Sequence, residues 1–173
     1  MNMMQRRDPL LLFHSTLARR GVESEFIKVS GDTDLDLYDY DLLFLGSPVI
    51  AWGPTNTMRD FVMKKLGEYH KTRIQPSAPL RPGKFVVSFC TFSGTHIGEN
   101  EAIPLKKWFS SFLEHLGCQV MGEWNIVGEF HKTGEPNING RLGDIRGRPR
   151  SLSENERFFA RSRKAKILTA RIH

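Results

Sequence analysis

The sequence predicts an α/β fold built on a parallel sheet. Apolar residues at helical spacing alternate along the chain with short runs rich in strand-forming residues, and the connections between them are short. One of those runs, Leu42 to Leu45, is apolar without a break, as in a strand buried on both faces of a parallel sheet. At 173 residues, 39% of them hydrophobic and 25% charged, the chain has the length and composition of one globular domain.

In chain order, Leu10, Phe13, Leu17 and Ala18 mark a helix over Leu10 to Arg20, with Gly21 placed to end it. Glu25 to Ser30 alternates as a short strand and leads into an acidic stretch, Asp32, Asp34, Asp36, Asp39 and Asp41. The strand Asp41 to Gly46 follows, then a loop from Ser47 to Asn56. Met58, Phe61, Val62, Leu66 and Tyr69 share one face, which predicts a helix from about Thr57 to Tyr69. A basic, Pro-containing connector, Arg73 to Gly83, precedes a second buried strand, Lys84 to Cys90. After the loop Thr91 to Glu99, Asn100 is placed to cap a helix whose stripe is Leu105, Phe109, Phe112, Leu113 and Leu116, closed by Gly117. Gln119 to Val127 reads as a strand, Gly128 to Pro149 as a polar, Gly-rich stretch, and Ser153 as the cap of a last basic helix.

The net charge of +6 is unevenly placed. From Arg146 onward nine Lys/Arg face only Glu154 and Glu156, so the excess cations belong to the end of the chain and say little about the globular body. That end carries Phe158 and Phe159 but no nucleic-acid-binding module, so a solvated basic tail over residues 150–173 is expected, and nucleic acid is not expected as a partner. No apolar run reaches the roughly 20 residues of a spanning helix. Leu10 to Phe13 is too short for a signal-peptide core. Cys90 and Cys118 fit reduced thiols in a cytoplasmic protein. The motifs GxxxxGK[ST], GxGxxG and HExxH do not occur, and no Ser-His-Asp or Cys-His relay is visible. Cys90 reads as a small core residue and His96 as a solvated loop residue, so no catalytic residue is assigned.

Ligands of open parallel sheets bind beyond the carboxyl ends of the strands. Two loops belong there, Gly46 to Pro54 and Cys90 to Gly98. Each combines glycines that admit a ligand to the backbone, hydroxyls that hydrogen-bond, and a large aromatic residue, Trp52 or Phe92. The two rings could flank a planar heterocycle, or they could simply cap the core.

The segment Tyr40-Asp41-Leu42-Leu43-Phe44-Leu45-Gly46-Ser47-Pro48-Val49, followed by Ala51-Trp52-Gly53-Pro54, resembles the third strand and first flavin-facing loop of the flavodoxin family. Cys90-Thr91-Phe92-Ser93-Gly94 resembles its second flavin-facing loop, and the similarity extends over about residues 10 to 149. The resemblance implies a flavodoxin-like three-layer sandwich that binds FMN and exchanges electrons with redox partner proteins. Ser47, Pro48, Val49, Trp52 and Gly53 would lie on one side of the flavin ring, and Thr91, Phe92, Ser93 and Gly94 on the other. Ile50 replaces the usual aromatic after Pro-Val, which shifts stacking onto Trp52 and Phe92.

The sequence departs from the family at its start. Met1 to Pro9 holds no Gly, Ser or Thr and is too short for the family's first strand and phosphate-binding loop. In the order 2-1-3-4-5 that strand is central, so its neighbours are expected to pair directly or to dock loosely, with weakened hold on the flavin phosphate. The expected organisation is an N-terminally incomplete flavodoxin-like domain over 1–149 and a peripheral basic tail or helix over 150–173. Two alternatives are a truncated, flavin-free interaction module and a flavin-dependent NAD(P)H:quinone-type reductase.

Overall fold

The computed structural model describes residues 14–15, 17–92, 97–127 and 164–169. Strands β1 (Glu23–Lys28), β2 (Leu42–Pro48), β3 (Phe85–Phe92), β4 (Gln119–Val127) and β5 (Lys164–Thr169) form one sheet in the order β1-β5-β2-β3-β4. Every ladder is parallel. The predicted α/β class holds, and the layout is that of a flavodoxin-like sandwich.

Helices α1 (Asn56–His70) and α2 (Ile103–His115) cover one face of the sheet. There Met58, Phe61 and Val62 of α1 and Leu105, Phe109 and Leu113 of α2 share a core with Leu43, Leu45, Val86 and Leu168. On the opposite face, Leu17, from the helical residues at 14–15 and 17–19, packs in a second core with Leu42, Phe44, Val87, Phe89 and Ile167. This division follows from the pleat: successive residues of β2 feed opposite cores, so all seven are buried.

Local chemistry sets the helix boundaries. The Thr55 hydroxyl accepts the Met58 N–H at 3.3 Å and starts α1 one residue before the expected Thr57. After α2 the Cys118 N–H donates to the Leu113 carbonyl at 3.1 Å and the Gly117 N–H to the Glu114 carbonyl at 2.8 Å, the paired bonds of a Schellman motif. Gly117 has φ +78°, and a Cβ there would run into the Pro79 carbonyl, so glycine is required twice over. Among the described residues no helix is long and apolar enough to cross a membrane.

The end of the chain overturns one expectation. Residues 150–173 were expected to be a peripheral tail or helix, yet 164–169 form β5, which lies between β1 and β2 in the slot expected to lack a strand. β1 and β2 therefore do not pair directly, and no domain boundary at 150 separates this strand from the sheet. The physical reason lies in Lys164-Ala165-Lys166-Ile167-Leu168-Thr169. Ala165 and Ile167 face the core containing Leu17, and Leu168 the core under α1 and α2. Lys166 is buried, but its ammonium pairs with Glu25 of β1 and lies 5.0 Å from the centre of the Tyr40 ring. A cation supplied with a carboxylate and an aromatic face is compatible with a strand interior. The other positions of the basic end lie outside the described residues.

Candidate functional site

β2 and β3 are neighbours, so their carboxyl ends stand side by side, with Ser47 in register with Cys90 and Pro48 with Thr91. Gly46 makes this closeness possible: a Cβ at that position would overlap the Phe89 ring. Past the ladder the Val49 N–H donates to the Thr91 carbonyl at 2.8 Å, which ties the first loop to the second strand.

The first loop is closed at its base. The Ser47 hydroxyl donates to the Pro48 carbonyl at 3.0 Å and accepts the Thr55 N–H at 3.1 Å. Thr55 in turn caps α1. Ser47 is therefore an internal clamp that joins the end of β2 to the start of α1, and its hydroxyl is already engaged. The loop tip is a two-residue turn in which the Ile50 N–H donates to the Gly53 carbonyl at 2.8 Å and the Gly53 N–H to the Ile50 carbonyl at 2.9 Å. Ala51 and Trp52 have φ +46° and +61°, the signs of a type I′ turn. Asn-Gly is the usual pair there, because left-handed backbone costs other residues about 1–2 kcal/mol each.

The turn carries Trp52 out of the core, leaving it 59% exposed. The adjacent Ile50 is also exposed. Among the described residues the Ala51 and Trp52 N–H groups have no hydrogen-bond partner, while those of Ile50 and Gly53 are used within the loop and that of Val49 is taken by the Thr91 carbonyl. A Cβ on Gly53 would stand 3.3 Å from a terminal guanidinium nitrogen of Arg59, so that side chain lies against the turn. The tip thus offers an open aromatic face, two peptide donors and a cation. An aromatic ring edged with acceptors matches that set.

The second loop is less symmetrical with the first than the resemblance implies. Thr91 is half-buried at the end of β3. Phe92 is 3% exposed and belongs to the core under α1 and α2. β3 runs two residues further than expected, and strand alternation then points Phe92 inward with Val86 and Cys90. Phe92 is therefore not an open ring face opposite Trp52, as the resemblance implied, but anchors the end of β3 in the core. Ser93, Gly94 and His96 lie outside the described residues. Pro48 is buried at the end of β2, and Val49 is half-buried against the core under α1 and α2.

Cys90 is a core residue here. Its thiol donates to the Asn125 side-chain oxygen at 3.4 Å, and burial pushes its pKa up to about 12, so it does not act as a thiolate near neutrality. Two clefts, of about 200 and 380 Å³, lie elsewhere. The first is lined by residues including Ile74, Arg81 and His115, the second by Asp36 before β2, Lys65 and Glu68 of α1, and Arg73 after it. Among the described residues no group of three or more His, Cys, Asp or Glu is placed to hold a metal.

Thr55 and Arg59 escaped the sequence reading, and Ala51 entered it only as part of the first loop's motif. Thr55 carries a legible signal, a hydroxyl just before a helical stripe. Arg59 has none, because its place against the turn depends on how α1 leaves the sheet. Compared with models of known protein families and with curated protein sequences, the chain matches none.

Proposed function

We propose that this chain is a cytoplasmic FMN-binding electron carrier, with the flavin ring lying on the 50–53 turn at the carboxyl ends of β2 and β3. The observation that carries this reading is the exposed Trp52 on a turn with two non-glycine residues at positive φ. Backbone strain of that kind persists where the surrounding structure enforces it, and it clusters at ligand sites. The position agrees with the rule that ligands of open parallel sheets sit beyond the carboxyl ends of the strands.

Bound FMN would supply the one- and two-electron chemistry that no side chain of this site can perform. The chain's own residues position it. Trp52 provides the stacking face, and the Ala51 and Trp52 N–H groups are donors for acceptors on the ring edge. Gly53 leaves room for close approach, while Ser47 and Thr55 hold the base of the loop. The Val49–Thr91 bond ties the first loop to the end of β3, which Phe92 anchors in the core. Electrons would pass to a redox partner protein through the exposed part of the ring.

Titration of the purified protein with FMN, followed by quenching of flavin and tryptophan fluorescence, tests the reading. An aromatic contact is worth about 0.5–1.5 kcal/mol beyond area burial, so Trp52→Ala should weaken FMN severalfold, up to about tenfold. Absence of FMN binding by the wild-type protein, or equal affinity in Trp52→Ala, would overturn it.

A further inference from the structure

β5 holds β1 in the sheet. All six ladder pairs of β1 among the described residues are with β5, and the Val29 N–H just beyond β1 also donates to a β5 carbonyl, that of Thr169, at 2.8 Å. β1 is largely exposed, with Phe26 and both of its glutamates open to solvent. Within β1 only Ile27 packs against a core, and the strand's apolar anchors are Val22 and Val29 at its two ends. β5 also gains from β1, though for a different reason and beside its own ladder to β2. Lys166 is buried, and its carboxylate partner Glu25 stands on β1, 141 residues away in sequence. Seated on β2 alone, β5 would form the edge of the sheet, and Lys166 would lose its carboxylate and keep only the face of Tyr40 and water as support.

We propose that β1 and β5 dock and undock as one cooperative unit on a more stable β2-β3-β4 body, with the Lys166–Glu25 pair as the coupling element. Each strand removes the other's reason to stay: loss of β1 strips Lys166 of its carboxylate, and loss of β5 strips β1 of its ladder. Closing contacts over such a separation carries a large loop entropy, which places this unit at the weaker end of the molecule's local stabilities.

Native-state hydrogen exchange on the full chain, read by mass spectrometry, tests the coupling. Segments covering residues 23–28 and 164–169 should share one opening equilibrium, at least tenfold more populated than that of residues 85–92. Ile27→Ala, which trims β1 where it meets the core, should speed exchange in β1 and β5 by the same factor and leave β3 unchanged. In Lys166→Met the β5 response to Ile27→Ala should vanish, whereas Lys166→Arg should retain it. If Lys166→Met does not fold, Glu25→Gln serves instead: it should raise exchange in β5 as much as in β1, while Glu23→Gln raises neither. Protection of β5 equal to that of β3 in the wild type, or a β5 that ignores both Ile27→Ala and Glu25→Gln, would overturn the proposal.

Discussion

Truncating a single side chain in β5 distinguishes a central strand from a basic tail. Ile167 is 1% exposed and faces the core containing Leu17 and Phe44, while Leu168 is 0% exposed and faces the core under α1 and α2. Replacing either with alanine removes buried methyl and methylene groups and leaves a cavity that close-packed neighbours only partly fill. Such changes cost about 2–5 kcal/mol, a large share of the roughly 5–15 kcal/mol that holds a domain of this kind folded. With a urea m-value of about 2 kcal/mol/M the unfolding midpoint should fall by about 1–2.5 M with m unchanged. Leu80→Ala is the matched control, because Leu80 is 67% exposed; its effect should stay within about 0.5 kcal/mol. The two faces also make separate claims. Loss from Ile167→Ala alone would place β5 on the surface of one layer, whereas comparable losses from both require burial between layers. Effects within 0.5 kcal/mol for both variants would refute the central placement.

Further outcomes follow from the site and its surroundings. Ala51→Gly relieves left-handed strain and should raise stability by about 1 kcal/mol in urea titration while leaving FMN affinity unchanged; lower stability would contradict the turn geometry. Gly46→Ala should destabilise by about 1–3 kcal/mol, because its methyl meets the Phe89 ring, and Phe89→Leu should restore part of the loss; a neutral Gly46→Ala would rule out that contact. Burial raises Cys90 from an ordinary value near 9 to about 12 and Cys118 to about 11. The folded state therefore holds these protons more tightly than the unfolded chain. The stability linked to them is complete below pH 9 and is lost as pH rises toward 11 and 12, at up to about 1.4 kcal/mol per pH unit for each thiol. Denaturation midpoints flat between pH 9 and 11, or rapid reaction of both thiols with a disulfide reagent in the native protein at pH 8, would contradict this.

Much of the fold was legible because its signals are local. The uninterrupted Leu42 to Leu45 run gave β2, the helical stripes gave α1 and α2, and β4 matches Gln119 to Val127 residue for residue. β5 was hidden for two reasons. Its partners lie far away in the chain, and Lys166 breaks an apolar pattern whose compensation, Glu25 and Tyr40, is visible only once the strands are side by side. The site divides in the same way. Its position beyond β2 and β3 follows from the order of elements, whereas the turn at Ala51 and Trp52 lacks the Asn-Gly signature by which such turns are recognised. The burial of Phe92 was within reach of sequence reasoning: extending the alternation of Val86, Ser88 and Cys90 by one step points it inward.

The place of β5 at the heart of the sheet also bears on how the protein is made. A ribosome releases the chain from its amino end, so β1 to β4 and both helices are synthesised before the strand that joins β1 to β2 exists. Throughout that interval β2, the most apolar strand, presents an open edge of unpaired peptide groups, the kind of surface that recruits other nascent chains. Translation speed and holdase chaperones should therefore govern the yield of this protein more strongly than they would if β5 were encoded first. A circular permutant that begins at residue 150 and joins residue 173 to residue 1 should relieve that dependence while preserving every strand neighbour in the sheet.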